Sequence, residues 1–118
     1  MCLFCKIASG EIPANILMEN ERFVAFHDIN PRAPIHLLII PKAHIEKFQE
    51  APGELMAQMT PFIQEVARTL ELDENGYRLI VNNGRDGGQE VPHLHVHLLG
   101  GTRLTWPHFS PEEAKKAI

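Results

Sequence analysis

The sequence predicts an α+β domain built on an antiparallel sheet. Two observations predict it. Short apolar runs recur between tight turns, as in strands that pair with their chain neighbours, and a single long amphipathic segment supplies one main helix. Residues 3–8 read as a short helix stopped by Ser9-Gly10, and Pro13 sets an extended exit. Residues 16–18 and 22–26, separated by Glu19-Asn20-Glu21, read as a hairpin. Residues 28–34 carry two prolines and Asn30 and must be a loop. Residues 35–40 are nearly all apolar and read as a buried strand stopped by Pro41. In residues 53–72, Leu55, Met59, Phe62 or Ile63, Val66 and Leu70 recur at helical spacing, and core packing explains that stripe better than a cofactor box does. Pro61 should kink this helix or begin a new one after Thr60. Residues 77–82 form a strand, 83–91 a glycine-bearing loop, and 93–99 a last strand stopped by Gly100-Gly101. The tail holds the only tryptophan, Trp106, then Ser110-Pro111-Glu112-Glu113, a helix-start signature. No internal repeat or low-complexity segment interrupts this order.

A chain of 118 residues suits one domain, 1–118, with a C-terminal tail from about 102. Hydrophobic residues make up 44% and charged residues 22%, the balance of an ordinary globular protein. No apolar run reaches the ~18 residues of a membrane span, and no basic stretch precedes a long apolar one near the N-terminus. A cytoplasmic location without membrane contact is therefore expected. The net charge of −4 argues against a broad nucleic-acid surface. It leaves room for a small phosphorylated ligand, because one local cluster of donors can hold a phosphate on an acidic protein.

Seven histidines are many for this length, and both cysteines, Cys2 and Cys5, lie at the N-terminus. A disulfide between them would constrain little of the unfolded chain. They read as a redox pair or as half of a metal site. The richest segment is His93-Leu94-His95-Val96-His97-Leu98-Leu99. Strand alternation would put the three imidazoles on one face, roughly 7 Å apart, and Leu94, Val96 and Leu98 on the other. Solvated surface histidines, a three-histidine zinc site and a nucleophilic acid–base site are the competing readings.

His93-x-His95-x-His97 with its two following apolar residues resembles the signature of the histidine-triad (HIT) superfamily. The stretch from Phe26 through His36, and Ile39-Ile40-Pro41-Lys42-Ala43-His44, resemble that superfamily's N-terminal half. Gly76-Tyr77-Arg78, Asn82-Asn83-Gly84, Asp86-Gly87-Gly88-Gln89-Glu90-Val91 and Leu98-Leu99-Gly100-Gly101 resemble its nucleotide-binding HINT branch. The likeness covers nearly the whole chain.

The resemblance implies a HIT-like fold of about five antiparallel strands, with the sheet continued across a homodimer. It implies a phosphoramidase that binds purine nucleotides and hydrolyses the P–N bond of purine nucleoside phosphoramidates. His95 would be the nucleophile. His97 would contact the phosphoryl oxygens and manage the leaving-group proton, with His93 completing the triad and His36 extending it to a tetrad. Asn82, Gln89 and the backbone from Gly88 through Glu90 to Val91 would hold the phosphate. Asp28 would contact the ribose, where a loop cap is the plainer assignment. Phe4, Ile7, Ile16, Phe26 and Ile29 would enclose the base. Cys2, Cys5, His44 and His93 match the ligands of a structural zinc site found in one subtype. His27 and His108 read as surface histidines. Pro92 stands where many members carry an aromatic residue, and Glu90 where some carry serine. The competing activities are a diadenosine polyphosphate hydrolase or nucleotidylyl transferase, a non-catalytic nucleotide-binding scaffold, and a zinc hydrolase with its metal on the triad.

Overall fold

Two α-helices and five strands are the main elements of the computed structural model, which describes residues 2–106. They are α1 (Leu3–Ala8), β1 (Ile16–Glu19), β2 (Phe23–His27), β3 (Ile35–Pro41), α2 (Gly53–Thr69), β4 (Arg78–Ile80) and β5 (Val96–Gly100). The strands form one sheet in the order β1-β2-β3-β5-β4, and every neighbouring pair is antiparallel. This is the α+β architecture that the strand runs and single amphipathic helix predict. The tail signature at residues 110–113 and His108 lie outside the described residues.

Side-chain alternation gives the sheet two different faces. Phe23 and Ala25 of β2, Leu37 and Ile39 of β3, and Val96 and Leu98 of β5 pack with Leu55, Met59, Phe62, Ile63 and Val66 of α2. Val24 and Phe26, with Leu38 and Ile40, pack instead with Phe4 and Ile7 of α1. One face is thus closed by a long helix. The other is closed only partly, by a helix of six residues, and the uncovered remainder is available for a site.

Three boundaries differ from the sequence reading. Pro61 does not divide α2, which runs unbroken through it. Pro61 and Ala57 are both exposed, so water can take the hydrogen bond that the proline cannot make. The helix ends at Thr69 rather than at residue 72, because the chain reverses there. The Leu72 N–H donates to the Ala67 carbonyl at 2.9 Å and the Glu71 N–H to Arg68 at 3.0 Å. That is a Schellman closure, with Glu71 in the left-handed region at φ 58° and Leu72 turned into the core. The last strand begins at Val96 rather than at 93. The preceding segment bends, with the His93 N–H bonded to Val91 at 2.8 Å and the Leu94 N–H bonded to Ile45 at 2.6 Å. β4 likewise shortens to Arg78–Ile80 at the sheet edge. Among the described residues no helix is long and apolar enough to cross a membrane.

Glu71 occupies a backbone conformation that glycine adopts without steric cost. Glu71→Gly should therefore raise stability by about 0.5–1 kcal/mol. Urea denaturation should show a higher midpoint at unchanged slope; a lower midpoint would mean that the Glu71 side chain contributes more than its backbone strain costs.

Candidate functional site

A cavity of about 740 Å³ opens on the α1 side of the sheet. Its apolar end is built by Phe4 and Ile7 of α1, Phe26 of β2 and Leu38 of β3, with the exposed Ile29 at its rim. Its polar end brings together Asp28, His36, His95 and His97, and Asn82, Gly88, Glu90 and Val91 complete that side. The sequence analysis singled out nearly all of these positions.

Three expected residues are placed elsewhere. Ile16 is 42% exposed and does not line the cavity, where Ala14 and Asn15 stand instead. A register shift between Ile16 and Met18 interrupts the hairpin at that point. Gln89 spends its amide inside the loop. Its Oε1 accepts from the Gly84 N–H at 2.9 Å, and its Nε2 donates to the carbonyls of Glu46 at 2.7 Å and Val91 at 3.0 Å. It shapes the glycine-rich turn rather than reaching into the cavity. His93 faces away from the cavity altogether.

The bend before β5 explains the position of His93. Strand geometry at 93–97 would have ranked three imidazoles on one open face. The observed backbone leaves His95 and His97 facing the cavity, with ring centroids 5.1 Å apart. His93 is fully buried beside α1, and its Nε2 donates to the Pro41 carbonyl at 2.8 Å. Its Nδ1 faces Cys2 Sγ at 3.2 Å, Cys5 Sγ at 3.5 Å and His44 Nδ1 at 3.3 Å. Cys2, Cys5, His44 and His93 thus form one group of donor atoms able to hold a metal ion. The face is not open either: His95 is 6% and His36 4% exposed.

Hydrogen-bond partners assign the tautomers of the other histidines. His95 Nδ1 donates to the His93 carbonyl at 2.7 Å, which leaves Nε2 with a free lone pair. His36 Nδ1 accepts from the Arg32 N–H at 3.0 Å, so its proton sits on Nε2. That Nε2 lies 2.9 Å from His97 Nδ1 and 3.4 Å from Asp28 Oδ2. His97 therefore accepts at Nδ1 and carries its own proton on Nε2. Asp28, His36 and His97 also cluster donor atoms. A proton already committed to His36 Nε2 suits a relay better than a metal. Asp28 also caps its loop, with Oδ1 accepting from the Asn30 N–H at 2.8 Å.

Burial favours the neutral form of His97 and His36. His97 falls from the ordinary 6.5 to about 4, chiefly through desolvation, then through the nearby charges of His95 and His36. His36 is lowered for the same first reason, against the opposing pull of Asp28. A neutral imidazole is nucleophilic, whereas an imidazolium is not.

Some contributors carried little sequence signal. His27, read as a surface residue, lies half-buried at the cavity edge. Arg32 and Arg78 bring cations to the lining, and Leu104 and Thr105 close one side. Arg78 holds that segment by donating to the Thr105 carbonyl at 2.6 Å and by stacking on Trp106 at 5.3 Å. An arginine in a loop or on an edge strand has no periodicity that marks it.

Comparison with known proteins agrees with this geometry. The model of the HIT domain matches residues 9–104. An uncharacterized HIT-like protein of Helicobacter pylori is 52% identical over 103 residues, covering 87% of this chain and 99% of that protein. A HIT family hydrolase from Legionella pneumophila Philadelphia 1 superposes with a TM-score of 0.87 at 50% identity, covering 91% of this chain and 98% of that one. A histidine triad nucleotide-binding protein from Candida albicans gives a TM-score of 0.79 at 37% identity, covering 98% and 89%.

Two measurements test the site's physics. Below pH 6.5 the unfolded chain binds protons that folded His97 and His36 refuse. Stability should thus be full above 6.5 and decline as pH falls toward about 4. His97→Gln should flatten that decline in urea titrations at several pH values; an unchanged slope would locate the proton uptake elsewhere. At Gly87 a Cβ would lie 2.6 Å from the Asn83 carbonyl oxygen and 2.9 Å from its nitrogen. Gly87→Ala should force the 84–89 turn to move, seen as shifted amide resonances across the loop with the core unchanged.

Proposed function

The chain belongs to the HIT domain family, and from that premise we propose that it is a HINT-like hydrolase of purine nucleoside phosphoramidates, such as adenosine 5′-phosphoramidate. The observation that carries this reading is the tautomer of His95. Its Nδ1–H is committed to the His93 carbonyl, so Nε2 presents a lone pair to a cavity with one apolar and one polar end. A volume near 740 Å³ falls within the range of small-molecule sites. The apolar end suits a purine, and Asp28 stands where a ribose would follow. The HIT hydrolase and the nucleotide-binding protein among its structural neighbours support the same assignment.

The chemistry follows from the proton positions. His95 Nε2 attacks phosphorus, and the P–N bond to the amine breaks. The amine nitrogen leaves badly unless protonated, and His97 Nε2–H is the donor beside it. The His36 Nε2–H bond to His97 Nδ1 at 2.9 Å holds the His97 N–H toward the leaving nitrogen, and a proton from water completes the amine, so both imidazoles stay neutral with one proton each. The nucleotide is now bonded to His95 Nε2. Water attacks phosphorus, that bond breaks, and the proton released returns to solvent, replacing the one the amine took up. Asn82 and Gly88 line the cavity and would meet charge developing on the phosphoryl oxygens.

Zinc fits the second group of residues. The six separations among Cys2 Sγ, Cys5 Sγ, His44 Nδ1 and His93 Nδ1 run from 3.2 to 3.6 Å. A tetrahedron with such edges has its centre about 2.0–2.2 Å from each vertex, close to zinc's bond lengths to imidazole and thiolate. The Pro41 carbonyl fixes His93 with Nδ1 available, as a ligand requires. Zinc there would cross-link α1 to the segment before β5. Four protein ligands leave no open position for a reacting water.

The same reading makes residues 1–118 a single HIT domain that pairs as a homodimer in the cytoplasm, with neither nucleic acid nor membrane as a partner. Among the described residues β4 ends the sheet, and Leu79 on it and Val81 just after it are 46% and 38% exposed, which supports continuation of the sheet into a second copy.

The test is hydrolysis of adenosine 5′-phosphoramidate by wild type and His95→Ala, with adenosine monophosphate affinity and zinc content measured on the same samples. Turnover should fall by at least about 1,000-fold in the variant, with nucleotide affinity and zinc retained. Binding of the nucleotide without turnover in the wild type would instead make this a nucleotide-binding module.

A further inference from the structure

His95 is held by one hydrogen bond, from Nδ1 to the His93 carbonyl. That bond selects the tautomer but leaves the ring free to rock about it, since the second side-chain torsion of histidine has a broad minimum. Aiming Nε2 therefore needs contacts on the ring itself. Two are present. His97 lies on the ring at 5.1 Å and is tied to His36. Phe4 meets it nearly perpendicularly, with centroids 5.1 Å apart and planes at 83°.

The Phe4 ring is well restrained. It is 5% exposed and packs edge-on against Phe26 at 5.7 Å and His93 at 6.0 Å. It sits in α1 between Cys2 and Cys5. Six residues are too few to persist as a helix alone. Cys2 caps this one, its Sγ accepting from the Cys5 N–H at 3.3 Å, and both thiols belong to the group with His44 and His93. The metal-binding group thus anchors the helix that carries Phe4 and the residue whose carbonyl holds His95.

We propose that Phe4 is a positioning residue for His95: its ring brackets the imidazole against His97 and so aims Nε2 into the cavity. This goes beyond a place in the base-enclosing wall, and it rests on the reading of His95 as nucleophile. The two roles separate cleanly. A wall residue changes nucleotide affinity. A positioning residue changes the rate of the step that His95 performs and the order of its ring.

The experiment uses metal-loaded protein with Phe4→Leu, which keeps apolar bulk and loses the ring, and Phe4→Tyr, which keeps the ring. Nitrogen-15 spectra of the histidine side chains read the His95 ring at a pH where it is neutral. Titration with adenosine monophosphate reads affinity, and single-turnover cleavage of adenosine 5′-phosphoramidate reads the attack. In Phe4→Leu the His95 signals should broaden or split. The single-turnover rate should fall about tenfold or more, a larger factor than any accompanying loss of affinity for adenosine monophosphate. Phe4→Tyr should recover both. Sharp, unshifted His95 signals in Phe4→Leu, or weaker affinity at an unchanged rate, would overturn the proposal. In the wild type a nuclear Overhauser contact between the Phe4 ring and the His95 ring protons is required, and its absence would also sink it, whether or not the variant folds. Failure of the wild type to cleave the phosphoramidate would instead count against the proposed function, and the ring spectra would still decide the role of Phe4.

Discussion

Both sites hang on His93. Its ring is buried completely, and a buried imidazole is costly unless both nitrogens find partners. Nε2 finds the Pro41 carbonyl at the end of β3, and Nδ1 finds the cysteine–histidine group. The backbone of the same residue accepts from His95 Nδ1. One residue thus ties the last turn of β3 to α1 with its side chain and sets the tautomer of His95 with its carbonyl. Neither could be placed independently of the other.

The sheet supplies the rest by a simple division of labour. Alternation along β2, β3 and β5 sends one set of side chains to α2 and the other to the α1 side. The α2 side is packed by large aliphatic and aromatic groups. The α1 side is covered by a short helix, so part of the sheet surface stays open as the cavity. The long helix stabilises a platform; the short one shapes what stands on it.

Burial of His97 and His36 serves chemistry and works against acid stability through the same desolvation. Desolvation drives His97 down to about 4, so it stays neutral and keeps a directed N–H. The unfolded chain has no such restriction, and protons pull the equilibrium toward it on acidification. The hydrogen-bond order from the Arg32 N–H through His36 to His97 depends on each ring keeping one proton in one place. A solvated set of imidazoles would have neither fixed tautomers nor a shared direction.

The sequence by itself determined the fold class, because hydrophobic periodicity of two and of 3.6 residues is a local property that tertiary context had no reason to reverse. His93, His95 and His97 stood out by their alternation and Cys2 and Cys5 by their spacing, whereas Asp28, His36 and His44 were marked only by the resemblance to the HIT superfamily. Tertiary structure decided how each of these histidines is turned. The alternating pattern at 93–97 looked like one strand, but the bonds from Val91 and Ile45 bend the chain before Val96 and turn His93 away from its two companions. It also decided that Gln89 braces the loop, that Ile16 stays outside, and that Arg32, Arg78 and His27 reach the cavity. Those outcomes depend on contacts between segments far apart in the chain, and no pattern within a single segment encodes them.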